Sequence, residues 1–223
     1  MKIDKKNRSL VNVIGAPLIV FTILFNTYTF YLLIFSIVAF SFYEFISLML
    51  NKSKLTYFKL IGGFIWISTI TLFIPLYESD NISKAFLFII FSSVWITDSA
   101  AYVMGKNFGK RKILPTISAK KTWLGSISGL FFSVLYLFLI FHYGNKSIWP
   151  ENFTIINIVY LGLITGLFSQ IGDFSESYFK RKLNVKDSSN ILLGHGGFLD
   201  RFDSMFAVSF ATYFYLLLTG FYG

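Results

Sequence analysis

Cysteine is absent from this chain of 223 residues, and charged residues make up only 14% of it. The absence of cysteine excludes both a disulfide framework and a thiolate metal site. A soluble domain normally has about a quarter of its residues charged, so the scarcity of charge argues against a soluble protein. The chain is instead 55% hydrophobic and 20% aromatic. So much apolar surface cannot all be buried in one soluble core of this size, and it indicates a protein whose solvent is lipid.

Long apolar runs occur along the whole chain, and a membrane-spanning helix needs about 20 apolar residues. We therefore predict an all-α, polytopic integral membrane protein with a single membrane-embedded domain, residues 1–223. The first apolar run is short and contains Pro17, so a re-entrant pair made of the first two runs is an open alternative. The seven predicted spans are Leu10–Phe25, Tyr28–Leu50, Leu60–Tyr77, Ala85–Met104, Trp123–Tyr143, Ile155–Ser175 and Met205–Tyr222.

The basic residues give the predicted helices an orientation. With the N-terminus inside, 18 of the 20 lysines and arginines fall in inside segments, and only Lys84 and Lys146 lie outside. Cytoplasmic loops carry such an excess of positive charge. We therefore predict an inner-membrane protein whose N-terminus lies in the cytoplasm. The net charge of +9 would favour nucleic acid as the partner of a soluble protein. Here we attribute it to loops that face anionic lipid, and we expect no nucleic-acid partner.

The segment Gly172–Ser204 is a polar stretch in an otherwise apolar sequence. If it begins as a helix, positions i, i+3, i+4 and i+7 fall on one face. That face presents carboxylates for a metal at one end and a phosphate-binding cation at the other. Its members are Asp173, Glu176, Ser177 and Lys180.

The second half of this stretch adds a glycine-rich turn and two more acids. Glycines surround His195, so the backbone can approach a ligand closely and present its N–H groups. Asp200 and Asp203 share a face if the next helix has begun, with Arg201 beside them. Carboxylates, cations and a flexible turn together indicate Mg²⁺ and a polyphosphate.

Two separated blocks of the chain have a fixed pattern of polar residues and glycines. One block comprises Ser177-x-x-Lys180-Arg181, Lys186-Asp187 and His195-Gly196-Gly197-x-x-Asp200-Arg201-x-Asp203. The other comprises Asp98-Ser99-x-Ala101-Tyr102-x-x-Gly105-Lys106-x-x-Gly109-Lys110 and Pro115-x-Ile117-Ser118-x-Lys120-Lys121-Thr122-Trp123. Both resemble hallmark sequences of the phosphatidate cytidylyltransferases (CDP-diacylglycerol synthases). The chain departs from residues that this family often has at Ala119, Leu124 and Leu193.

The resemblance implies an activity and a set of site residues. It implies transfer of the cytidylyl group of CTP to phosphatidate, which gives CDP-diacylglycerol and pyrophosphate in phospholipid biosynthesis. It implies Mg²⁺ bound by Asp173 and Asp200, with a second metal or a monovalent ion as an open addition, and catalytic roles for Lys180 and Arg201. The substrate-binding residues that it implies are Ser177, Arg181, Lys186, Asp187, His195, Gly196, Gly197, Asp203, Asp98, Ser118, Lys120, Lys121 and Thr122.

Paired carboxylates suit this reaction because it brings two polyanions together. Divalent ions that bridge Asp173, Asp200 and phosphate oxygens would neutralise the repulsion and stabilise the leaving pyrophosphate. The nucleophile is a phosphate oxygen that is already deprotonated at neutral pH, so no strong general base is required. Positioning and electrostatics would then provide most of the rate.

Two other functions stay open on the sequence alone. A CTP-dependent polyprenol or phytol kinase also uses CTP and a membrane lipid, but it needs a base to activate a hydroxyl group. A small transporter could use the intramembrane acids Asp98 and Asp173 to bind protons or ions, but it leaves the glycine-rich turn and the clustered cations unexplained. The sequence determines neither the acyl-chain preference nor the choice between CTP and dCTP, and it leaves a homodimer possible.

Overall fold

The structure is a computed structural model that describes residues 5–52, 56–192 and 196–222, with side chains from Gly15 onward except that of Lys52. Within these ranges the regular structure is helical, apart from one isolated antiparallel bridge between Lys112 and Thr122. A 3₁₀ turn (Thr69–Leu72) joins α3 to α4, and a second one (Lys146–Ile148) precedes α7. The helices are α1 (Lys5–Phe25), α2 (Thr27–Lys52), α3 (Tyr57–Ser68), α4 (Phe73–Glu78), α5 (Lys84–Asn107), α6 (Trp123–Tyr143), α7 (Ile155–Lys182) and α8 (Leu199–Leu218).

Five helical segments of the described chain are long and apolar enough to cross a membrane, and they match the second to sixth predicted runs. The chain is therefore an all-α, multi-pass membrane protein. Two predicted runs are not among the five: the first, of which Gly15–Phe25 forms a shorter apolar helix, and the last, most of which lies in α8. The five segments are Thr27–Asn51, Tyr57–Glu78, Lys84–Asn107, Trp123–Tyr143 and Ile155–Lys182.

The four helices that carry or flank the two motif blocks pack against one another. Helix α6 contacts both α5 and α7, and α7 contacts α8. Small residues let such helices approach closely, and a Cβ atom on Gly162 would lie only 2.7 Å from Val134 Cα. The hydroxyls of Ser93, Ser133 and Thr165 form a buried hydrogen-bonded cluster at 2.9–3.0 Å that joins α5, α6 and α7.

Both motif blocks lie at the same end of this bundle. The loop 108–122 joins α5 to α6, and the segment 183–198 joins α7 to α8. Arg181 Nε donates to Ile117 O at 3.2 Å and so ties the two regions together. Helix α7 extends beyond the predicted Ile155–Ser175 to Lys182, which confirms that the polar stretch begins as a helix. The predicted polar face of Asp173 to Lys180 is therefore present.

Candidate active site

A cavity of about 1160 Å³ lies where the two motif blocks meet the helices. Apolar side chains from several helices form one part of its wall, among them Ile19, Leu33, Trp95 and Met205. The cavity thus joins a charged region to an apolar one, as an amphipathic ligand requires. Nine predicted site residues line it: Asp98, Ser118, Lys120, Lys121, Thr122, Asp173, Asp200, Arg201 and Asp203.

Asp173 and Lys121 bring the two motif blocks into direct contact. Lys121 Nζ lies 2.5 Å from Asp173 Oδ2, and the Asp173 side chain stays about a third exposed, at 34%. The same ammonium group lies 3.9 Å from the centre of the Phe174 ring. Ser177 Oγ donates to Asp173 Oδ1 at 3.4 Å from one turn further along α7. Asp173 is therefore an accessible carboxylate at the charged end of the cavity.

Lys180 lies between two carboxylates in the interior. Its Nζ is 2.7 Å from Glu176 Oε2, one turn earlier on α7, and 2.5 Å from Asp200 Oδ1 on α8. The Lys180, Glu176 and Asp200 side chains are only 11%, 3% and 8% exposed. Buried charges need partners of opposite sign, so Lys180 pairs with both acids and holds α8 against α7.

Gly196 and Gly197 of the glycine-rich turn lie against the Asp200 carboxylate. Asp200 Oδ2 accepts from Ser188 N and from Gly197 N at 2.8 Å each, and Ser188 Oγ lies 2.9 Å away. Gly196 has φ +82°, and a Cβ atom there would lie 2.4 Å from Asp200 Oδ2, so only glycine fits. Burial alone would raise the pKa of Asp200. Hydrogen bonding with Glu176 and the Lys180 ammonium, together with the Gly197 N–H, instead holds that pKa below its usual value.

Asp203 lies in the first turns of α8, before its apolar part, and is buried. Burial raises the pKa of Asp203 to about 7, and the Asp173 carboxylate contributes to this increase. Asp203 Oδ1 accepts from Ser204 N at 2.7 Å. Two carboxylates that repel each other at one cavity wall form a place where a cation would be stabilised.

The loop 108–122 holds its lysines at the cavity through backbone pairing. Ile113 N donates to Lys121 O at 3.2 Å, and Trp123 N donates to Arg111 O at 3.0 Å. Thr122 ends the loop as the N-cap of α6, where its Oγ1 accepts from Gly125 N at 3.1 Å. This loop is predicted to contact substrate phosphates, and its position at the cavity supports that prediction.

Seven other predicted site residues are described but do not line the cavity. Arg181 NH1 donates to Val185 O at 2.7 Å, so its guanidinium group fastens the chain that follows α7. Lys186 and Asp187 are exposed. His195 lies outside the described residues, and its predicted role stays a prediction. The seven are Ser177, Lys180, Arg181, Lys186, Asp187, Gly196 and Gly197.

Two residues that contact this site, Glu44 and Ser188, were not predicted from the sequence, and a third, Glu176, was placed on the polar helix face but given no role of its own. Glu176 shares the helix face of Asp173 and Lys180, and Ser188 follows the Lys186-Asp187 pair. Glu44 is the single acid in the predicted run Tyr28–Leu50. An acid inside a membrane helix is a functional candidate by default, so that signal was available in the sequence.

The donor set at the cavity fits Mg²⁺ held jointly by the protein and a substrate. Among the described residues, no three His, Cys, Asp or Glu side chains come together at metal-ligand spacing. Mg²⁺ commonly binds one or two carboxylates and completes its shell with water and substrate phosphates. Asp173 offers an accessible carboxylate, whereas Asp200 already accepts from Lys180 and from two backbone N–H groups. A metal at Asp200 would therefore have to share Oδ1 with Lys180 or displace it.

Comparison with known proteins places these observations in a family. The chain is 41% identical over 144 residues to the phosphatidate cytidylyltransferase of Haemophilus influenzae, which is 64% of this chain and 50% of the relative. It is 36% identical over 178 residues to that of Staphylococcus aureus (78% of this chain, 65% of the relative). It is 42% identical over 151 residues to that of Rickettsia bellii (66% and 64%). The chain thus spans about half to two thirds of the length of these curated relatives.

A family model gives the same result for most of the chain. The match runs over residues 63–219, which is more than half of the chain and contains both motif blocks. Every cavity-lining residue on the charged side, from Asp98 to Asp203, lies inside the matched region. The resemblance found in the two motif blocks is confirmed, and the chain belongs to the Cytidylyltransferase family.

Proposed function

We propose that this protein transfers the cytidylyl group of CTP to phosphatidate, producing CDP-diacylglycerol and pyrophosphate. The observation that carries the proposal is a single cavity that joins membrane-embedded apolar walls to the carboxylates and lysines of both motif blocks. Membership of the Cytidylyltransferase family and the names of the relatives support the same reaction.

The proposed substrates suit the two halves of the cavity. The triphosphate of CTP and the phosphate of the lipid are both polyanionic, and lysines from the loop 108–122 together with Arg201 supply positive charge around them. The acyl chains of phosphatidate suit the apolar wall that includes Ile19, Trp95 and Met205. A lipid phosphate oxygen attacks the α-phosphorus of CTP, and the bond to the β-phosphate breaks to release pyrophosphate.

Mg²⁺ is the proposed cofactor, with Asp173 and Asp200 as its protein ligands and a second metal or a monovalent ion as an open addition. Bound there, it would supply charge neutralisation of the phosphates and of the leaving pyrophosphate. Lys121 pairs with Asp173, so it is placed to move from that carboxylate to a phosphate when the site is filled. Lys180 is proposed to hold Asp200 in place, and Arg201 to contact phosphate.

We propose a topology with seven spans, a cytoplasmic N-terminus and a cavity that opens to the cytoplasm from the inner membrane. The distribution of basic residues supports this orientation, since 18 of 20 fall on the proposed inside. Helix α8 would be the seventh span, with its charged first turns at the cavity and its apolar part in the bilayer. CTP would enter from the cytoplasm, and phosphatidate would enter sideways from the membrane.

The test is turnover by the purified full chain in detergent, with CTP and phosphatidate, in the presence and absence of Mg²⁺. Mg²⁺-dependent release of pyrophosphate together with a cytidylated lipid is expected. The variant Asp173→Asn should lower this rate by about 10²–10³-fold, because it removes a charge at the reacting phosphates. Asp80→Asn is the matched control, since Asp80 is exposed at the opposite end of the bundle. Near-normal turnover by Asp173→Asn would contradict the proposed metal ligand.

A further inference from the structure

Glu44 is a buried acid on α2 that contacts the motif block Ser177–Asp203 from a distant part of the chain. Glu44 is only 1% exposed, and it is the single acidic residue of α2. Residues 63–219 match the family model, so Glu44 lies outside the matched region. A buried carboxylate in a membrane helix is unfavourable unless its hydrogen-bonding capacity is satisfied, so its surroundings must compensate.

The Glu44 carboxylate accepts four hydrogen bonds from two segments. Ser188 Oγ and Ser189 Oγ donate to it at 2.8 and 2.7 Å. The backbone N–H groups of Phe198 and Leu199 donate at 3.0 Å each. A carboxylate has about four lone-pair positions, so these donors satisfy it fully.

The two N–H groups are those at the beginning of α8, which have no acceptor within the helix. No capping side chain is provided locally, because the N-cap residue is Phe198. Glu44 therefore supplies from α2 the capping acceptor that α8 lacks, and its negative charge lies at the favourable end of the helix dipole. A neutral apolar residue at position 44 would leave both N–H groups without a partner.

Glu44 also fixes the glycine turn and, through it, Asp200. A Cβ atom on Gly197 would lie 2.1 Å from Glu44 Oε2, so the turn is in direct contact with this carboxylate. Ser188 Oγ lies between Glu44 and Asp200, within hydrogen-bond distance of both. The first turn of α8, which carries Asp200 and Arg201 to the cavity, is thus held by one acid from the N-terminal part of the chain.

We infer that Glu44 is a positioning residue for the cytidylyl-transfer site, which fixes the glycine turn and the first turn of α8 so that Asp200 and Arg201 face the substrates. The inference rests on the proposed function for its kinetic consequence only. Its structural consequence, the protection of the backbone of residues 196–200, holds whatever reaction the cavity performs.

The test compares Glu44→Gln with Glu151→Gln, which makes the same chemical change at an exposed site on a loop. Glutamine keeps the size of the side chain but replaces one acceptor oxygen by an NH₂ group, which cannot accept from the α8 N–H groups. We expect hydrogen–deuterium exchange of a peptide spanning residues 196–202 to be about tenfold faster in Glu44→Gln. We expect kcat to fall by roughly 10–100-fold with little change in the KM for CTP.

A second pair of variants covers the case in which Glu44→Gln does not fold. Ser189→Ala removes one donor to Glu44 Oε1, and Ser147→Ala is its exposed control. We expect the same effects as in Glu44→Gln, but smaller: hydrogen–deuterium exchange of residues 196–202 is faster, and kcat is lower, than in the control.

The outcomes separate the inference from the proposed function. Exchange and kcat equal to those of the controls in both variants would overturn the inference. An equal loss of protection throughout all helices would also overturn it, because the role would then be general stability. If wild-type protein transfers no cytidylyl group but Glu44→Gln still loses local protection, the proposed function fails and the structural role of Glu44 stands.

Discussion

Lys180 is the residue on which the charge balance of the buried site depends. It contacts Glu176 and Asp200 at 2.7 and 2.5 Å, and its own side chain is only 11% exposed. Removal of one partner from a buried ion pair leaves an uncompensated charge, which costs far more than the pair itself contributes. In this triad one cation pairs with two acids, so loss of the Lys180 charge should lower both the stability of the protein and its activity.

We predict that Lys180→Met lowers the free energy of unfolding by about 3–5 kcal/mol and abolishes most turnover. Thermal unfolding in detergent, with CTP turnover measured on the same preparation, checks this. Lys182→Met is the matched control, since Lys182 is exposed and contacts only the ring of Tyr178 among its described contacts. Adding Glu176→Gln to Lys180→Met should recover part of the stability, and the absence of recovery would contradict the charge-balance account.

Residue types and spacing predicted much of this site, but not its pairings. The spacing of Asp173, Ser177 and Lys180 predicted one helix face, and α7 extends far enough to form it. The contact of Lys121 with Asp173 joins residues 52 positions apart in the sequence, and no local rule predicts which lysine of the loop reaches α7. The charge of the loop lysines does not indicate which of them contacts Asp173.

At the scale of the elements, the close packing of α7 on α8 sets the distance between the acids of the site. A Cβ atom on Gly172 would lie 2.4 Å from Asp203 O and 2.8 Å from Ser204 Cα. Both neighbours are backbone atoms, which cannot move without moving the helix. Gly172 therefore lets Asp173 on α7 and Asp203 on α8 share one cavity wall.

We predict that Gly172→Ala pushes the two helices apart and destabilises the protein by about 1–3 kcal/mol. Turnover should fall with it, because Asp173 and Asp203 move relative to each other. Gly62→Ala on α3 is the control: a Cβ atom there has nothing within 4 Å, and alanine is favoured over glycine in a helix by roughly 0.5–1 kcal/mol. Equal thermal stability and turnover of the two variants would show that Gly172 is not a packing constraint.

Apolar length and periodicity predicted the central helices well, with small errors at the boundaries. The predicted apolar run Trp123–Tyr143 matches α6 to the residue, and in the structure Thr122 caps this helix and Gly144 follows it. Helix α8 was predicted only from Met205, because its first turns are charged and a membrane span was expected to be apolar. Those turns are helical because α2 and the segment after α7 supply their hydrogen-bond partners, which are 12–155 positions away in the sequence. Such long-range partners are not encoded in a local pattern.

At the scale of the whole molecule, the proposed topology is testable because the chain has no native cysteine. Single substitutions Asn190→Cys and Glu151→Cys place one thiol at each end of the bundle, at exposed positions. A membrane-impermeant maleimide added to intact bacterial cells should label Glu151→Cys, and it should label Asn190→Cys only after the membrane is opened. Labelling of Asn190→Cys in intact cells would reverse the proposed orientation.

The central claim is that the cavity transfers a cytidylyl group, and the fate of each phosphate of CTP tests it most directly. Purified protein is given Mg²⁺, CTP that carries radiolabelled phosphorus at either the α or the γ position, and either phosphatidate or, in a parallel reaction, a polyprenol. Lipid and aqueous products are then separated. The account predicts that the α label appears in the lipid and the γ label in pyrophosphate. Transfer of the γ label to a polyprenol lipid, with the α label left in CDP, would contradict the account and identify a lipid kinase.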